Sequence, residues 1–168
     1  MRKKILIMLM AWSMPTYLLA VDQEPEMTGT LGGTPHEWFI LSHGKDSNAS
    51  FIEMGDEIHI DITGFIDPET WSAQDALSIS LIMQEEELMS ADVIQLIGYS
   101  PQPPLYTSEA GDIRVSIIRY ERDARTVRVE GTVQGVLALQ VELNTPPSIE
   151  EGIEVDVQFN VEARKIEF

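Results

Sequence analysis

Asp46, Asn48, Ser50 and Glu57 place side-chain oxygens at positions 1, 3, 5 and 12 of a twelve-residue stretch. Oxygen-rich loops with that spacing wrap calcium, and the carbonyl of Ile52 stands where such a loop supplies a main-chain ligand. The steep turn at position 6 needs glycine, and here it is Phe51. The flanks also read as strands, where a calcium loop has helices. The competing reading is a polar loop feeding a strand, with Glu53 or Asp56 within reach of any calcium site that forms.

The spacing resembles an EF-hand loop over these twelve residues alone. Other chemistry is weaker. His59 and Asp61 lie two apart and share a strand face, but zinc or copper needs a third such group, and the other histidines, His36 and His43, lie elsewhere. Ser42, His43 and Asp46 are the types of a hydrolytic triad, yet sequence adjacency is not triad geometry and no nucleophile elbow is present. Gly32 and Gly33 read as a hairpin turn rather than a phosphate cradle. With 28 Asp plus Glu in the chain, paired carboxylates carry no information.

Five arginines crowd one short stretch: Arg114, Arg119, Arg122, Arg125 and Arg128. The chain is otherwise strongly anionic, with a formal net charge of -17. The arginines either pair across strands with Glu121, Asp123 and Glu130, or form a docking patch for an anionic partner, with Tyr106 and a proline-rich loop alongside. The negative field repels nucleic acid and anionic lipid, so neither is expected as a partner. It reads as solubility or salt tolerance, or as carboxylates that hold cations.

Position in the cell follows from residues 1–20. Arg2, Lys3 and Lys4 precede an apolar run from residue 5 to 12, then Pro15 and a small residue, Ala20, which is the layout of a cleaved signal peptide. The run is too short and too interrupted for a membrane span, and no later segment is long and apolar enough for one. Residues 21–26 read as a disordered acidic leader, and residues 27–168 as a single domain. The chain has no cysteine, so an exported form relies on packing or metal, and thiol chemistry is excluded.

The elements that would carry these residues alternate apolar and polar with period two. Strands are expected at residues 27–31, 36–41, 56–65, 76–84, 112–120, 126–133, 136–143 and 153–163. Ile58, Ile60 and Ile62 face one way, as do Leu77, Ile79, Leu81 and Met83, and as do Ile153, Val155, Val157, Phe159, Val161 and Ala163. Residues 85–98 fit a helix or the return of a hairpin; the hairpin is favoured because the neighbours are strands. Residues 42–50 and 100–111 read as loops. Gly131 and Gly135 mark bulges or close backbone approach, and Trp71 is expected to plug the core edge. Aromatics make up 7% of the chain, too few for the girdles of a membrane barrel.

The expectation is an all-β protein, an antiparallel β-sandwich of roughly nine or ten short strands, secreted or periplasmic. Its function reads as a non-catalytic binding or interaction module for a protein or glycan, with no cofactor unless calcium binds. The alternatives are a small secreted hydrolase using surface carboxylates and a cell-envelope subunit that assembles through an edge strand. The sequence sets no oligomeric state.

Overall fold

The computed structural model describes residues 23–167, so the signal-peptide reading of residues 1–20 lies outside the described residues. The chain is all-β. Eleven strands run in the order β1 (Met27–Leu31), β2 (Thr34–Trp38), β3 (Ser42–His43), β4 (Asp46–Ser47), β5 (Ala49–Met54), β6 (Glu57–Gly64), β7 (Leu77–Gln84), β8 (Glu87–Leu96), β9 (Leu105–Arg122), β10 (Thr126–Gln140) and β11 (Ser148–Lys165). No helix among the described residues is long and apolar enough to cross a membrane.

Two layers face each other across an apolar core. One is β2-β1-β11-β10-β9 and the other is β5-β6-β7-β8. Both belong to one nine-stranded sheet, in the order β10-β9-β8-β7-β6-β5-β11-β1-β2, that the pairing of β10 with β11 folds back on itself; β3 and β4 form a separate two-stranded sheet. Two strands pass from layer to layer and join them. The start of β9 pairs on one side with the end of β8, Leu105 against Leu96 and Thr107 against Ile94, and on the other with the end of β10; beyond Thr107 only the β10 pairing continues. The end of β11 pairs in parallel with β5, Arg164 against Ser50 and Lys165 against Phe51.

Alternation drives this arrangement. Ile60, Ile62, Ile79, Leu81 and Met83 of one layer and Val133, Val157, Phe159 and Val161 of the other are buried. Each large aliphatic or aromatic side chain so buried contributes about 1.5–3 kcal/mol, which a chain without disulfides depends on. Trp38 is fully buried and donates its indole N–H to the carbonyl of Asp75 at 3.0 Å.

Several expectations are refined. The hairpin reading of residues 85–98 holds: β7 returns as β8 through a turn in which Glu85 and Glu86 have positive φ. The strands are not all short, since β9 and β11 have 18 residues each and β10 has 15. The loop expected at residues 100–111 ends early, because β9 starts at Leu105. A bend at residues 108–111, with Ala110 at positive φ, interrupts the alternation that would have revealed it. The expected loop at 42–50 contains the small β3–β4 hairpin. Trp71 is 52% exposed and leans on Phe65 from outside rather than plugging the core. In the acidic leader, Gln23 donates to the Ile40 carbonyl, and the Glu26 carboxylate accepts from the Ile40 amide.

Both glycines of β10 sit where backbones crowd. A Cβ on Gly131 would lie 2.5 Å from the Ser116 carbonyl oxygen and 2.6 Å from the Phe159 ring, beside the register shift that leaves Ile118 of β9 unpaired. Gly135 has φ +134, which side chains rarely adopt, and a Cβ there would meet the Asp112 carbonyl.

Candidate functional site

The twelve residues read as a calcium loop fold as a hairpin. Ser50 pairs with Asp61 near the open end of β5–β6, whereas Glu57 sits at the turn opposite Met54. Four residues of strand, about 13 Å, separate those two levels. Asp46 is exposed on β4, and Asn48 turns inward with its side-chain oxygen buried and without a partner. Glu57 is instead hydrogen-bonded to the His59 imidazole at 2.9 Å. The structure therefore does not gather Asp46, Asn48, Ser50 and Glu57. Among the described residues, no three His, Asp or Glu side chains cluster as a metal site would require.

The hydrolytic candidates are only partly brought together. His43 and Asp46 stand opposite each other in the β3–β4 hairpin, while Ser42, one residue from His43, points to the other face and donates to Ser47 Oγ at 3.1 Å. Asp61 accepts from Ser80 Oγ at 2.7 Å on the outer face of β6–β7.

The five arginines go to three places. Arg114, Arg119 and Arg128 lie on the outer face of β9–β10. Arg119 reaches Glu121 at 3.7 Å, and Arg128 reaches Glu162 at 3.9 Å. These exposed pairs are worth well under about 1 kcal/mol each. Arg122 turns to the corner between the layers and pairs with Glu53, which also accepts from Lys165 Nζ at 2.8 Å. The Lys165 ammonium above all, then Arg122, holds the Glu53 carboxyl below its ordinary range against a partial burial that pushes the other way. Arg125 lies in the β9–β10 turn. That turn is capped by Asp123, whose carboxylate accepts from the amides of Arg125 and Thr126 and from the Thr126 hydroxyl, and these bonds lower its pKa. Both shifted carboxylates are thus held in the charged state, the opposite of what a general acid needs. Tyr106 is half-buried against the main core at the β8–β9 corner, paired with Gln95 and Leu139, and the structure does not bring it to the arginines.

One grouping was not foreseen from the sequence. An open cleft of about 700 Å³ at one end of the sandwich is lined by Lys45 from the β3–β4 turn, Arg125 from the β9–β10 turn, and Arg164 and Lys165 from the end of β11. Asp46 and Glu167 are its acidic members. Arg164 donates to the Gly44 carbonyl at 3.2 Å, which ties the small hairpin to β11. The side chains of Lys45 and Arg125 have no partner among the described residues. The pairing of β10 with β11, Thr126 against Arg164, sets the β9–β10 turn beside the end of β11, and the pairing of β11 with β5 sets the small hairpin there, so no local sequence signal announced the cleft.

Comparison with protein-family models, with curated proteins and with solved structures gives no match to this chain.

Proposed function

We propose that this chain is an exported, non-catalytic interaction module that takes a carboxylate-bearing partner in the cleft of Lys45, Arg125, Arg164 and Lys165. The convergence of these four cations carries the reading. Apart from the three at the start of the chain, there are eight basic residues against 28 acidic ones, and half of the eight meet at one cleft. A field this negative discourages anions everywhere else, so a local cationic site confers selectivity as well as attraction. Guanidinium groups match carboxylates bidentately, and Arg125 is available for that. Export rests on the residue pattern of segment 1–20 and places the partner in the periplasm or outside the cell.

Calorimetric titration with oligo-glutamate and with oligo-galacturonate, at several salt concentrations, tests the reading. Binding should weaken steeply as salt rises and disappear in Lys45→Glu combined with Arg125→Glu. Both side chains are exposed and make no bond in the fold. Absence of binding to either oligomer at low salt, or binding indifferent to that double change, would refute it.

A further inference from the structure

We propose that two copies of this chain pair through β9, antiparallel, with Arg114 opposite Glu121 of the second copy and Val115 opposite its Tyr120. From residue 109 to 122, the side of β9 turned away from β10 has no strand paired with it among the described residues, because pairing with β8 ends at Thr107, followed by one bond from the Val93 amide to Ser108 Oγ. A cleft of about 470 Å³ opens there between residues 88–92 of β8 and 108–115 of β9. The other edge of the same layer, β2, has five residues and carries Pro35, which blunts it as a template. The β9 edge is longer, and its row Ile113, Val115, Ile117 is only half covered by its own chain. Addition of a strand would continue that row.

The register follows from the bulge at Ile118. Before it, Ile113, Val115 and Ile117 face the core, and Asp112, Arg114 and Ser116 face out; after it, Tyr120 faces the core, and Arg119 and Glu121 face out. An antiparallel pair that uses the whole edge sets the first half of one β9 against the second half of the other, and because the bulge shifts the alternation by one, like faces then meet only where the two residue numbers sum to an odd value. Sliding one way sets Arg114 against Arg119 and Asp112 against Glu121, two like-charge clashes repeated by the twofold axis. Sliding the other way shortens the overlap and leaves Arg114 beyond Glu121. The intermediate register sets Arg114 against Glu121 and Val115 against Tyr120, each twice, and Ser116 against Arg119. This self-complementarity is what a twofold interface needs. The edge also carries three arginines against two carboxylates from residue 112 to 122, so the repulsion between two copies with a net charge of -17 is locally relieved there.

Sedimentation equilibrium of the full chain decides the matter, with circular dichroism to confirm that each variant is folded. The wild type should be dimeric. Arg114→Glu and Glu121→Arg should each raise the dimer dissociation constant by about tenfold or more, and the combined R114E/E121R exchange should return it to near the wild-type value. A wild type that stays monomeric overturns the proposal. So does a dimer that neither single change weakens, or an exchange that fails to recover. None of these positions lines the cationic cleft, so the two readings stand or fall separately.

Discussion

Replacing Gly131 with alanine tests how closely β10 approaches its neighbours. The added methyl would lie 2.6 Å from Cζ of Phe159, which is 2% exposed, and 2.5 Å from the Ser116 carbonyl. Neither neighbour is a loose chain end: one is a buried ring and the other is backbone of β9. Overpacking of this kind costs about 1–3 kcal/mol. For a domain of this size, that lowers the melting temperature by about 2–12 °C. Part of the cost comes from the ring, so Phe159→Leu, which removes about 1–2 kcal/mol of packing by itself, should make the second change cheaper. The double variant should be more stable than the sum of the singles predicts by about 0.5–1.5 kcal/mol, the usual coupling between residues in contact. Urea unfolding followed by tryptophan fluorescence measures all four corners of the cycle. Additivity to within about 0.3–0.5 kcal/mol, or a Gly131→Ala protein as stable as wild type, would refute the packing argument.

Glu53→Gln should lower the melting temperature near neutral pH. The wild-type advantage should then shrink as pH falls. A carboxyl held below its ordinary value of 4.5 contributes stability that is complete above that value and lost as pH drops through the folded-state pKa. A difference that grows on acidification would contradict this. Trp38→Phe removes the indole donor to Asp75 and should cost about 1–3 kcal/mol, read as a lower urea midpoint at unchanged slope. An unchanged midpoint would mean the bond contributes nothing. Millimolar calcium should raise the melting temperature no more than magnesium does at matched ionic strength, because Glu57 lies at the far end of the hairpin from Ser50. A calcium-specific rise would overturn that placement of the ligands.

Period-two alternation made most of the fold legible. Ile58 to Ile62, Leu77 to Met83 and Ile153 to Ala163 each announce a strand and name its buried face, and all are buried as read except Ile153, which is only half covered where it packs against the core. The sequence is silent where a strand changes layer. Residues 105–111 hold two prolines just upstream and a bend at Ala110, so their mixture of buried and exposed positions follows no single period. The site fared worse for a related reason. The arginines between 114 and 128 are conspicuous as a run, but strand alternation and the β9 bulge send them to opposite faces. The cationic cleft draws on residues more than a hundred positions apart, Lys45 and Arg164, and is a product of topology. The twelve-residue oxygen spacing says nothing of the hairpin turn at Gly55, which sets Ser50 and Glu57 at different levels of β5–β6.

β11 has neighbours along both of its sides: β10 on one, and β1 followed by β5 on the other. It is also the last strand described, and it pairs with the first, Phe159 against Met27. The chain therefore cannot reach its native form progressively from the N-terminus. The strands of β5 to β8 can form hairpins early, but β1 and β2 have no sheet to join until the final eighteen-residue strand arrives. Contacts of such long sequence separation make assembly slow, and they make it close to all-or-none. Until that strand is free to pair, the rest remains an open precursor whose unpaired edges are exposed to proteases and to any chaperone that holds extended chains.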